Sequence, residues 1–188
     1  MTETSNETTI DIDTLIEELI GREGGFSNHK ADRGGATRWG VTEAVARAHG
    51  YAGDMRALSR EDAAAVYRRS YWLRPGLDRV ALRSPRVAAE LFDTGVNMGA
   101  ETAVGFLQRA LNALNRGARD YPDVPASHRV DATTEKALDG FMRKRGASGE
   151  TVLLKAIEAL QGERYLRLAE KRPANEAFLY GWLANRLG

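Results

Sequence analysis

Cysteine is absent from this chain of 188 residues. That absence excludes disulfides, thiolate catalysis and cysteine-ligated zinc together. Histidine is scarce: His29, His49 and His128 lie far apart and form no HExxH pair, so neither a metal site nor a cofactor is expected. No P-loop, GxGxxG or GxSxG motif occurs. Long apolar runs are missing as well. The most apolar stretches, such as Val152-Leu153-Leu154, are a few residues long, against the roughly 18 a transmembrane helix needs, so no stable membrane insertion is expected. Met1 to Thr9 is polar, without a basic n-region or an apolar h-region. No secretory signal is visible there, and synthesis in the cytoplasm is expected.

An excess of one charge is also lacking. The 27 bases and 26 acids give a formal net charge of +1. This argues against a disordered chain and against a nucleic-acid partner held by charge alone. The balance hides an asymmetry. Residues 1–20 hold six acids (Glu3, Glu7, Asp11, Asp13, Glu17 and Glu18) and no base, leaving +7 on the rest of the chain. A basic body suits an anionic polymer such as a bacterial cell wall.

What is present reads as helix. After a polar tail, residues 1–10, the apolar residues Ile12, Leu15, Ile16, Leu19 and Ile20 recur at helical spacing, and Thr14 with Glu17 has a capping-box pattern. Gly21 is a natural stop, and Gly24-Gly25 ends the helix. Five glycines between residues 24 and 41 predict a loop or short hairpin. A helix capped by Thr42 should end at Gly50, and one started by Ser59, with Asp62 three residues on, should reach about Tyr71. Ser84-Pro85 opens a helix to about Asn97. Further helices are predicted over about 101–115, from Thr133 or Thr134 to Lys144, over 148–171, and over 175–187. Residues 117–130, with Pro122 and Pro125, read as loop. The cationic Arg143-Lys144-Arg145 complements a helix C-terminus. Trp182 reads as core. The expected fold class is all-α, a bundle with one early glycine-rich loop.

Candidate chemistry concentrates in that loop. Glu23 stands where a helix gives out, and the negative pole of the helix disfavours an ionised carboxylate there. Desolvation by Phe26 and its neighbours would raise its pKa further. A carboxylic acid still protonated near neutral pH is what glycoside cleavage needs as its general acid. Gly24 and Gly25 let a bulky polymer approach the backbone. Asp32, nine residues after Glu23, can stay ionised as base or electrostatic stabiliser, and Thr37 can hold a water. Trp39 is weighed as a sugar-stacking residue or as packing beneath the hairpin. Tyr71 is weighed as a cleft residue or as core, and Asn97 as a ligand for an N-acetyl group or as a helix cap.

Glu23-Gly24-Gly25-Phe26 followed by Ala31-Asp32-Arg33-Gly34-Gly35-Ala36-Thr37, then Gly40-Val41-Thr42, resembles the N-terminal signature of glycoside hydrolase family 108, phage-type N-acetylmuramidases of lysozyme-like fold. Leu58-Ser59-Arg60-Glu61-Asp62-Ala63, Val66 to Trp72 and Leu91 to Gly99 are similar to later blocks of that family. From about Ala103 the chain resembles a predicted peptidoglycan-binding region, best at Phe106 to Asn112 and Gly181-Trp182-Leu183. Two places depart from the pattern: His29-Lys30 stands where members often carry Asp-Pro, and Val130-Asp131-Ala132-Thr133-Thr134 replaces a glycine-rich turn. The resemblance implies a muramidase region over 11–100 and a helical C-terminal region over 101–188 packed into the same globule. It implies Glu23 as catalytic acid and peptidoglycan as substrate. A phage or prophage endolysin acting as a monomer, reaching the periplasm or cell wall through a holin or another export route, is the expected setting. Lytic transglycosylation and a non-catalytic wall-binding or phage structural role are the rival expectations.

Overall fold

The computed structural model describes residues 11–27 and 35–187, except for the side chain of Glu23. The chain forms two compact units, 1–74 and 75–188.

The first unit begins with α1 (Ile12–Glu23). Its cap is not the expected Thr14–Glu17 box. The carboxylate of Asp11 accepts from the backbone N–H of Asp13 and from the hydroxyl of Thr14, and an aspartate satisfies an orphan helix N–H as well as a threonine does. Gly21 does not stop the helix, because its φ is not positive there. The chain turns at Gly24, where φ is 78°. Ile16, Leu19 and Ile20 are buried on one stripe, and α1 packs against α3 (Arg60–Tyr67). Arg60 reaches Glu17 at 2.8 Å and Arg68 pairs with Asp13, clipping the solvent edges of that contact.

A small hairpin follows, β1 (Thr37–Arg38) and β2 (Val41–Thr42), antiparallel with Thr37 opposite Thr42 and Arg38 opposite Val41. Thr42 caps α2 (Glu43–Ala48) by accepting from Val45 N–H. A short 3₁₀ turn, Met55–Ala57, leads into α3. Ser59 caps α3 as expected: its Oγ accepts from Asp62 N–H at 3.0 Å and donates to the Asp62 carboxylate at 2.7 Å. The helix does not continue regularly to Tyr71. Residues Arg68–Leu73 form a π-turn, in which Arg74 N–H bonds Arg69 C=O at 3.0 Å. One extra residue is accommodated in the ladder, a feature often found at functional sites.

Among its described residues the second unit contains helices and loops but no strand. It contains α4 (Leu77–Ala81), α5 (Pro85–Met98), α6 (Ala100–Ala113), α7 (Ala132–Lys171) and α8 (Glu176–Arg186). The short α4 was not expected from the sequence. Ser84, fully buried, caps α5 through Val87 N–H and donates to Glu150 at 2.6 Å. Gly99, with φ 95°, makes the corner between α5 and α6. Leu91, Leu107, Leu111, Leu138, Phe141, Leu153 and Ile157 form the core. The two helices expected over 133–144 and 148–171 meet without a linker, and Gly146 (φ 61°) breaks the course of α7 between them.

The loop between α6 and α7 is held from one side. Gln108 and Asn112 stand one turn apart on α6, and Asn115 follows just beyond its end. Asn112 donates to Val124 C=O at 2.9 Å and accepts from Val124 N–H at 2.8 Å. Asn115 grips Tyr121 through both its carbonyl and its N–H. Gln108, 1% exposed, reaches Arg129 C=O and Thr134 Oγ1 and accepts from His128 N–H.

Trp182 departs from expectation. Helix α8 has no fully buried residue, and Trp182 is half-buried, stacked on Tyr165 at 5.3 Å and on the exposed Phe178 at 6.1 Å. The apolar residues of α8 form a surface stack rather than a core. Among the described residues no helix is long and apolar enough to cross a membrane.

Candidate functional site

The end of α1 and the hairpin are joined by backbone. Ser27 N–H donates to Thr37 C=O, and Thr37 N–H donates to Ser27 C=O, both at 2.8 Å. Ser27, Thr37 and Thr42 are therefore successive cross-strand partners, and such partners project their side chains on one face. Three hydroxyl-bearing side chains line that face. Thr37, the expected water-holding residue, is the central one and is half-buried. Glu23 closes α1 four residues before Ser27. Asp32 lies outside the described residues, as does the side chain of Glu23.

The hairpin turn is Trp39-Gly40, with φ 54° and 75°. Positive φ at both central positions is the type I′ geometry that suits the twist of the flanking strands. For a tryptophan that conformation costs about 1 kcal/mol or more. Two hydrogen bonds hold it there. The indole Nε1 donates to Leu58 C=O at 3.0 Å, and Tyr67 Oη donates to Trp39 C=O at 3.1 Å. The guanidinium groups of Arg38 and Arg60 lie over the indole, 5.2 and 5.0 Å from its centroid. The indole thus braces the turn and is stacked by cations. Phe26 is 36% exposed, with Arg56 over its ring at 4.9 Å. Cations stacked on aromatic faces in this way contribute about 0.5–1 kcal/mol each at exposed positions.

Tyr71 lies within the π-turn, half-buried, with its ring 5.8 Å from that of Tyr67. Burial pushes its phenol above the usual range. Sequence reasoning missed the neighbouring pair Ser70 and His49, whose Oγ and Nε2 are 2.9 Å apart on a cavity of about 760 Å³ also lined by Arg69 and Arg74. No spacing signal could have found them, because the π-turn sets where Ser70 faces.

Asn97 belongs to the second unit and is exposed. Its amide donates to Asp93 C=O at 2.7 Å and to the Asp93 carboxylate at 3.1 Å, and Asp93 also pairs with Arg186 at 3.0 Å. One turn earlier on α5 sits Glu90. Burial, followed by the nearby Glu158 and Asp93 carboxylates, raises its carboxyl to about 7, against a weaker opposing bond from Thr94 Oγ1.

A helix-terminal glutamate before a glycine crossing and a tight hairpin, within an otherwise helical chain, is the layout of a lysozyme-like glycoside hydrolase. Residues 16–99 match the family Glycosyl hydrolase 108, and residues 102–187 match the family Predicted Peptidoglycan domain. The first of these segments is a glycosyl hydrolase 108 region and the second a predicted peptidoglycan domain, and together they make the chain a peptidoglycan hydrolase. No curated protein matches it. Among solved structures it is similar to SagA of Brucella abortus, with a TM-score of 0.67 and 21% identity over 93% of this chain and 88% of that one. At that identity the likeness is one of fold. The family boundary falls at α5–α6, whereas the compact units part at 74–75. Helices α4 and α5 thus belong to the hydrolase segment in sequence, yet α5 packs against α6 of the second segment.

Proposed function

We propose that the chain is an N-acetylmuramidase that cleaves the β-1,4 bond between N-acetylmuramic acid and N-acetylglucosamine, with Glu23 as general acid. The observation that carries this reading is the position of Glu23 as the last residue of α1, directly before Gly24 at φ 78°. Backbone carbonyls at a helix C-terminus favour the neutral carboxylic acid. Glu23 gives its proton to the glycosidic oxygen as the bond from that oxygen to the anomeric carbon breaks. The cationic character that develops on the sugar is met by Asp32. A water held by Thr37 completes the hydrolysis, its oxygen bonding to the anomeric carbon and its proton passing to a carboxylate.

Gly24 and Gly25 leave the backbone open to a glycan, and Phe26, Trp39 and Tyr71 supply apolar surface for sugar rings. No cofactor takes part. The biological setting is a phage or prophage endolysin, synthesised in the cytoplasm, acting as a monomer and reaching the wall through a holin or another export route. Mass spectrometry of digested peptidoglycan tests the reading. Reducing N-acetylmuramic acid ends are expected. Anhydro ends would make the enzyme a lytic transglycosylase, and intact glycan would leave a wall-binding or structural protein.

A further inference from the structure

The second unit carries a cavity of about 500 Å³ that the muramidase chemistry does not use. Helix α6 presents Gly105, Phe106 and Arg109 to it at helical spacing, the α6–α7 loop presents Val124 and His128, and α7 presents Arg164. The volume lies within the range of small-ligand sites.

Its charge is of one sign. Among the described residues neither Arg109 nor Arg164 has a carboxylate partner, and Arg164 is half-buried. A guanidinium withdrawn from water without an acid beside it is stabilised by an incoming anion, and its planar fork matches a carboxylate with two parallel hydrogen bonds. The ring of Phe106 supplies an apolar wall between polar groups.

The backbone of the loop wall is strained in place. His128 has φ 56°, an uncommon conformation for a non-glycine residue. It is held by its N–H on Gln108 Oε1 and by Nδ1 on Glu101 C=O, both at 3.1 Å. A carbonyl only accepts, so Nδ1 carries the proton and Nε2 is the acceptor of the neutral ring. A Cβ on residue 105 would stand 2.8 Å from His128 Nδ1. Gly105 is therefore what lets the imidazole lie against α6. Strain of this kind gathers at ligand sites, where surrounding contacts over-determine it.

We infer that this cavity binds the acidic stem peptide of peptidoglycan, with Arg109 and Arg164 holding its carboxylates and His128 fixing its orientation. This rests on the peptidoglycan-hydrolase reading and adds where the second half grips the wall. The glycan strand itself offers hydroxyl and acetamido groups. The free carboxylates of the polymer lie on the peptides, and these match the two guanidinium groups of the cavity.

The test uses the full chain carrying Glu23→Gln, titrated with a synthetic stem peptide bearing free carboxylates and followed by calorimetry and amide NMR. Binding is expected, with the largest shifts at Gly105 and His128. The same peptide with its carboxylates amidated should not bind. Adding Arg109→Gln and Arg164→Gln should weaken binding by at least about tenfold, since each removes a charge-assisted contact. The thermal transition should be unchanged, because neither side chain has an ion-pair partner among the described residues to lose. Absence of peptide binding, equal binding by the double variant, or the same shifts with glycan stripped of its peptides would each overturn the inference. The ends released from whole walls by the wild-type chain decide the muramidase reading separately, whatever the titration shows.

Discussion

Ser27 and Thr37 exchange two backbone hydrogen bonds of 2.8 Å across nine intervening residues. The glycine-rich segment is thereby closed at its base, four residues beyond Glu23. Asp32 stands at its midpoint, five residues from each end of the clasp.

Glu23→Gln should abolish clearing of wall suspensions while leaving the thermal transition in place. Loss of a general acid costs at least about 10²-fold. Clearing at a near-native rate by the folded variant would remove Glu23 from the role.

Asp32→Asn should cost more activity than Thr37→Ser. The first removes a charge that meets a cationic transition state, whereas the second keeps the hydroxyl. Initial rates on soluble muropeptide oligomers give the comparison. A harmless Asp32→Asn would move the search to Asp93, whose carboxylate is tied to Arg186 and Asn97.

Much of the fold was legible in the sequence, and the reason is local. The stripe of Ile16, Leu19 and Ile20 and the helix starts at Ser59 and Ser84 each depend on residues within one or two turns, and each lies where the pattern put it. The misses depend on distant partners. The π-turn at Arg68–Leu73 has no composition of its own, and α4 is too short to show a period. Trp182 looked like core because an aromatic in an apolar helix cannot reveal whether that helix is covered. Within the candidate site, the helix-end position of Glu23 could be read from the glycines that follow it. The clasp of Ser27 on Thr37 is a main-chain pairing that side-chain identity does not encode.

Lysis should slow as salt is added between low and physiological ionic strength. The chain beyond residue 20 carries +7, the wall is anionic, and screening at physiological salt confines such attraction to about 8–10 Å. Removing residues 1–9 should leave folding intact and strengthen wall binding, since Glu3 and Glu7 go with them. A rate independent of salt would show that charge does not steer the enzyme to its substrate.

Glu90 predicts a pH dependence of stability. Its carboxyl titrates near 7 in the folded protein, above its unfolded value of about 4.3. The folded state therefore binds the proton more tightly, and stability falls as pH rises between those values, then levels off. Glu90→Gln should stabilise the protein at pH 8, by at most about 4 kcal/mol, and change little at pH 4. Urea unfolding at the two pH values checks this. An equal effect at both would place the cause in packing.

Gln108→Leu should destabilise the second unit by about 2–3 kcal/mol, because His128 N–H and Arg129 C=O lose their buried partner. Asn97→Ala, at an exposed position, should cost far less. Denaturant midpoints compare the two.

The amides of Gln108, Asn112 and Asn115 grip main-chain atoms of the following loop at Tyr121, Val124, His128 and Arg129. The exposed side chains between these points, at Pro122, Pro125 and Ala126, take no part in that grip. The segment is thus a mount whose fittings can be exchanged. New residues at those three positions could retune which wall chemistry the enzyme prefers without loosening the frame that displays them.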